Sequence, residues 1–148
     1  MKPLLVLFSA ILLCTSCGGP SKVTAEVVPM DKVCAYEKWK IVAVEGYLAP
    51  QTMSCERGRK GGVLWCSFRV YANPSLTGNN LSFQIPIAGT INGKNNRMDD
   101  PPSRVEDLRI YDNDGNPIPP ESKIRVYGSL PKSPVCAFGL IERLDRVS

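Results

Sequence analysis

Val63-Leu64-Trp65-Cys66-Ser67-Phe68-Arg69-Val70-Tyr71 alternates its side chains for nine residues. Successive side chains of a strand point to opposite faces, so Leu64, Cys66, Phe68 and Val70 share one side and Trp65, Ser67, Arg69 and Tyr71 the other. The first set suits a core. Similar runs lie at 39–48 before it and at 81–87, 108–111, 124–130 and 138–144 after it, each rich in β-branched or aromatic residues and bounded by Gly, Pro or Asn. In the run at 124–130, Ile124, Val126 and Leu130 point one way and Lys123, Arg125 and Tyr127 the other. Helical periodicity is nearly missing; the best candidate is one short turn over 103–108, led in by Pro101-Pro102. The expected class is all-β. Gly46 and Gly128 fall inside strand runs, where a tightly curved sheet needs a residue without a side chain, and they suggest a barrel.

Outside the strands, the most informative segment is the N-terminus. Lys2 precedes an apolar run over 4–13, followed by Cys14-Thr15-Ser16-Cys17-Gly18-Gly19. The run is about half of the ~20 residues a helix needs to cross a bilayer, so it reads as an export signal and not as a span. The segment resembles a bacterial lipoprotein signal peptide, in which small residues precede a cysteine that is lipidated and becomes the new N-terminus. The resemblance implies a signal peptide over 1–16, a lipidated Cys17 with a tether over 17–33, and a single domain over 34–148. It also implies a place in the cell envelope, with the acylated (palmitate-type) anchor in a membrane, expected to be the outer membrane on its periplasmic side. The competing reading is an ordinary cleaved signal of a secreted protein, which leaves Cys17 an odd thiol.

Composition narrows the chemistry. The chain carries a net charge of +4, or +3 once Lys2 leaves with the leader, too mild to announce a nucleic-acid binder. Histidine is absent, which removes the commonest general base, the usual triads and most catalytic zinc sites. No glycine-rich phosphate loop is present, and no carboxylate can be set opposite Asp99-Asp100. A non-enzymatic protein without a cofactor is expected. Beyond Cys17 the cysteines are Cys34, Cys55, Cys66 and Cys136, an even number in an exported chain, which argues for two disulfides. A four-thiolate zinc site is the rival, but no two of them form a C-x-x-C knuckle, so no metal is expected.

The blocks Leu108-Arg109-Ile110-Tyr111-Asp112-Asn113-Asp114-Gly115, Lys123-Ile124-Arg125-Val126-Tyr127-Gly128-Ser129-Leu130 and Leu140-Ile141-Glu142-Arg143-Leu144 resemble the second half of an OB-fold domain. Val44-Glu45-Gly46-Tyr47-Leu48 resembles that fold's glycine-containing first strand. The resemblance implies a small five-stranded Greek-key barrel with an extended connection between strands three and four, here 88–120, and a ligand bound across strands two and three. It also implies a strand order in which strands one and five begin at the same end of the barrel. On that order Cys34 pairs with Cys136, and Cys55 with Cys66 near the opposite end.

Two surface features remain. Asp112-Asn113-Asp114-Gly115-Asn116 has alternate oxygen ligands like the opening of a calcium loop, but Pro117 stands where that loop's glycine belongs and Lys123 where its closing glutamate belongs; a turn explains it more simply. Trp65, Arg69 and Tyr71 form the binding candidate, because aromatic faces beside a guanidinium suit stacking on a base, a sugar ring or a peptide side chain. Arg57, Arg59 and Lys60 add positive charge at its edge. The expected function is a lipid-anchored envelope module binding a ligand or partner protein; the alternatives are an assembly component of the envelope and a nucleic-acid-binding OB domain.

Overall fold

The computed structural model describes residues 21–57, 63–87, 95–132 and 134–148. Its strands are β1 (Ile41–Arg57), β2 (Val63–Tyr71), β3 (Asn80–Pro86), β4 (Arg97–Met98), β5 (Ile110–Tyr111), β6 (Pro117–Ile118), β7 (Lys123–Ser129), β8 (Ala137–Leu140) and β9 (Arg143–Arg146). Helix is confined, among the described residues, to single 3-10 turns at Val33–Ala35 and Val105–Asp107. The all-β class read from the alternation holds, and the second turn lies within the 103–108 segment singled out for it.

The main sheet has six strands in the order β8-β3-β2-β1-β7-β9, with β4-β5-β6 forming a small second sheet. It is mixed: β8 runs parallel to β3, and the other neighbours are antiparallel. The five-stranded Greek-key barrel is met only in part: the main sheet has six strands, and among the described residues no pairing joins its end strands β8 and β9 into a closed barrel. The physical reason lies in the last apolar run. It forms two strands separated by Ile141-Glu142, where the Ile141 N–H donates to the Gln84 carbonyl of β3 and the next N–H, that of Glu142, donates to the Tyr127 carbonyl of β7. One run thus serves both sides of the sheet.

The first strand also differs from its expected extent. Trp39 stands outside it, exposed and at φ +66°, with its N–H bonded to the Leu130 carbonyl. At the other end β1 continues to Arg57 through an irregularity between Ala49 and Ser54. There the Thr52 hydroxyl donates to the Ala49 carbonyl at 2.7 Å and accepts the Arg69 N–H at 2.8 Å, which replaces the interrupted ladder.

Residues 21–33 correct the tether. Val28, Met30 and Val33 are buried in the core. Pairing of β2 with β1 ends at Tyr71 opposite Tyr47, so the start of β1 has a free edge on that side. Residues 26–28 fill it: the Ala43 N–H donates to the Glu26 carbonyl and the Val28 N–H to the Ala43 carbonyl, both at 2.8 Å. The three buried positions are spaced two and three apart, which neither a strand period nor a helix period repeats.

Both disulfides have the expected pairing. Cys34 joins Cys136 across 102 residues, and Cys55 joins Cys66 across 11. Cys55 does not follow strand one, as the barrel order implied; it lies within β1, directly opposite Cys66. The core is built on Phe68, Phe83 and Phe138 with Leu48, Leu81, Ile85, Ile124 and Leu144, and the first two rings lie 6.2 Å apart. Met98, Ile110 and Ile118 bring the small sheet into it, so the described part of the 88–120 connection is a packed element. Tyr127, expected on the solvent face, is buried there beneath the Arg143 guanidinium, 5.1 Å from its ring.

Candidate functional site

Alternation in β2 turns Cys66, Phe68 and Val70 inward, each at most 1% exposed, and leaves Trp65, Ser67, Arg69 and Tyr71 on the outer face. Arg69 is exposed, whereas Trp65 and Tyr71 are half-buried. The Trp65 Nε1 is shut off from solvent and has no hydrogen-bond partner among the described residues. Trp65 is therefore a less open stacking platform than its strand position suggested. Six residues separate it from Tyr71, about 20 Å along an extended strand. No single small ligand bridges both; only an extended one does.

The pairing adds a residue that sequence reasoning missed. Tyr47 stands opposite Tyr71 on one side and opposite Lys123 on the other, and Tyr71 stands opposite Asn80. Lys123, Tyr47, Tyr71 and Asn80 thus form one row across four strands. The next row toward the hairpin places Arg69 between Ala49 and Ser82. Alternation within β1, with Val44, Gly46 and Leu48 inward, would have put Tyr47 outside, but its cross-strand neighbours depend on register, which a sequence does not print. Arg57 ends β1; its side chain, along with Arg59, Lys60 and Cys17, lies outside the described residues.

Beside this row, Glu45 accepts from Lys123 Nζ at 2.9 Å and from Arg125 Nε and Nη2 at 3.0 and 2.5 Å. These partners, Arg125 first, hold the Glu45 carboxyl below its ordinary value of 4.5. The sign follows: a depressed folded pKa stabilises above the unfolded value and is lost as pH falls through the folded one. Thermal melts of the wild type should fall more steeply than those of Glu45→Gln as pH drops from 5 through the acid range. Parallel pH profiles would remove Glu45 from the account.

Several other polar residues have structural partners. Asp112 Oδ1 accepts the N–H groups of Asp114 and Asn116 at 2.9 and 2.8 Å, and Gly115 sits at φ +81°, so the 112–116 segment is the turn its composition suggested. Asp99 accepts the Tyr111 hydroxyl at 2.9 Å, and that bond raises the Tyr111 pKa. A polar cleft of about 290 Å³ lies between Asp112, Asp114, Arg125, Arg143, Asp145 and Arg146. Arg143 pairs with Asp145 at 2.9 Å, and Arg125 with Glu45. The cleft's charges are thus largely matched internally. Among the described residues no three His, Cys, Asp or Glu side chains cluster as metal ligands. No protein-family model matches this chain, and no curated protein matches it significantly.

Proposed function

We propose that the protein is a lipid-anchored, non-enzymatic binding module of the bacterial envelope, built on an OB-like sheet and using the outer face of β2 for an extended ligand or partner protein. The OB-like reading draws support from the chain order β1-β2-β3 followed by β7, from the parallel β3/β8 pair, and from the consecutive amides of Ile141 and Glu142, which bond β3 and β7 in turn. Such bonding brings the two edges of a curled sheet to one corner. The anchor reading rests on the leader and Cys17.

The observation that carries the binding reading is the row of Tyr47 and Tyr71 beside the exposed Arg69. Two aromatic side chains and a cation on a sheet face offer stacking and charge along an extended path. An extended peptide or oligosaccharide fits it, and an oligonucleotide differs in its salt response.

One experiment tests the whole reading. Envelope membranes from cells making the wild type, Cys17→Ser or Arg69→Ala are fractionated, and the solubilised protein is used to capture its ligand. Cys17→Ser should move to the soluble fraction, since a multiply acylated cysteine gives stable attachment. Arg69→Ala should stay on the membrane, keep its melting temperature and bind at least about tenfold more weakly, as for loss of an exposed hot-spot arginine. Unchanged capture by Arg69→Ala rejects the face; steep weakening with salt moves the reading to a nucleic-acid ligand.

A further inference from the structure

We propose that the N-terminal strap holds the domain close against the bilayer that carries its lipid, with the 112–116 turn toward the headgroups. The proposal rests on the anchor reading above. Its basis is a buried side chain committed to the incoming chain. Asn113 is 4% exposed; its Oδ1 accepts the Ser21 N–H at 2.8 Å and its Nδ2 donates to the Ser21 carbonyl at 3.3 Å. Asn113 is itself fixed: its N–H donates to the Leu144 carbonyl at 2.6 Å, and Asn96 Nδ2 donates to the same Oδ1 at 3.0 Å. Asn96 in turn accepts the Leu144 N–H through its Oδ1 at 2.7 Å.

The strap stays fastened beyond that lock. The Val23 carbonyl accepts from Arg143 Nη1 at 3.1 Å, Glu26 and Val28 ladder with Ala43, and the Tyr36 hydroxyl donates to Glu26 at 2.6 Å. The chain is therefore part of the fold from Ser21 onward. Four peptide steps separate Ser21 from Cys17, and an extended chain covers at most ~3.5 Å per residue, so the lock keeps Ser21 within about 14 Å of the lipidated cysteine. Without that lock the first fastening would be the Val23 carbonyl on Arg143, and the six steps from Cys17 would reach about 21 Å. The Asn113 lock shortens the leash by about a third.

Because Ser21 lies on Asn113, the 112–116 turn is the part of the domain nearest the anchor. Exposed Lys22 follows Ser21, and exposed Arg146 shares the adjoining cleft with Asp112 and exposed Asp114, so the charges at this corner balance and the short leash alone sets the orientation. Glu56 lies at the far end of the β1–β2 hairpin, ten residues beyond Gly46 along β1. A domain of this length is roughly 35 Å across, so no point on it lies more than about 50 Å from the bilayer. A partner of the β2 face must come to the membrane surface to be bound.

The test uses the full lipidated chain in vesicles whose headgroups carry a quencher that acts only at close range. A fluorescent non-natural amino acid replaces Asp114 in one sample and Glu56 in another. Position 114 should be quenched and position 56 nearly untouched. A twenty-residue Gly-Ser spacer inserted between Gly19 and Pro20, with an r.m.s. span of about 25 Å, should abolish most of the difference without touching the fold. Asn113→Ala should reduce it as well. Equal quenching at the two positions, or a difference that survives the spacer, overturns the orientation while the anchor stands. Wild-type protein that fails to float with vesicles overturns the anchor reading, and the orientation with it.

Discussion

Replacing Cys34 and Cys136 together is expected to lower the unfolding free energy by about 4–5 kcal/mol, the larger of the two disulfide effects. A cross-link stabilises chiefly by removing conformations from the unfolded chain, and the entropy lost grows with the logarithm of the closed loop. The Cys34–Cys136 loop spans 102 residues and the Cys55–Cys66 loop 11, which gives about 4.7 and about 2.8 kcal/mol on that model. The first figure is a large share of the ~5–15 kcal/mol that keeps a domain folded. Folded-state contacts do not soften it much: the Trp39 N–H to Leu130 bond is one neutral hydrogen bond between the same two arms, about 1 kcal/mol. Cys66 is fully buried, so its test pair is best made with Ala, which adds no hydroxyl without a partner. Urea unfolding of the two double variants decides the ranking. A loss below about 1 kcal/mol for the long loop would mean that the unfolded chain is already compact around residues 34 and 136.

The unequal loops also show which parts of the molecule its sequence made legible. The alternation of Cys66, Phe68 and Val70 against Trp65, Ser67, Arg69 and Tyr71 is local, and period 2 is set by a single residue's geometry; it survived intact. The same holds for Ile124 and Val126, for the 112–116 turn and for the short turn before β5. Where the reading departed from the structure, the cause was an interaction between distant segments. Tyr127 has the outward parity of Lys123 and Arg125, yet Arg143 covers it from another strand. The apolar positions of residues 21–33 keep no one period through Val28, Met30 and Val33, yet Val28 and Val33 are core because β1 has an open edge there and Asn113, 92 residues away, holds Ser21. The single apolar run at 138–144 became two strands because its middle amides bond to β3 and β7 in turn. Register explains the candidate site too. Arg69 and Tyr71 could be put on a face from their own strand, but Tyr47 joins them only through the pairing of β1 with β2. Arg59, Lys60 and Cys17 lie outside the described residues.

Gly46→Ala should be more damaging than the same change at Gly78, Gly128 or Gly139. Neither Gly46 nor Gly128 adopts a positive φ, so no backbone strain is at issue and the unfolded chain would, if anything, favour alanine by ~0.4–1 kcal/mol. Sterics decide the sign. A Cβ on Gly46 would collide with the carbonyl oxygen of Tyr71 and lie 2.7 Å from Val70 Cγ2 and 3.1 Å from Met30 Cε. Met30 is a flexible side chain end and can yield. The Tyr71 carbonyl cannot yield alone, because Tyr71 is paired to Tyr47 in β1 and to Asn80 in β3. At Gly128 the added carbon meets Phe138 Cγ at 2.9 Å, a ring that can tilt within the core at the cost typical of overpacking, ~1–3 kcal/mol. Gly46→Ala is therefore expected to cost at least about 3 kcal/mol, at or beyond the upper end of that range, and Gly128→Ala less. The damage should also reach the candidate face, since moving the Tyr71 backbone separates Tyr71 from Tyr47 and shifts Arg69 two residues away. Thermal melts and amide exchange of the 69–71 segment measure both effects. A neutral Gly46→Ala, or one milder than Gly128→Ala, would show that β1 and the end of β2 do not approach as closely as the Tyr47–Tyr71 row requires.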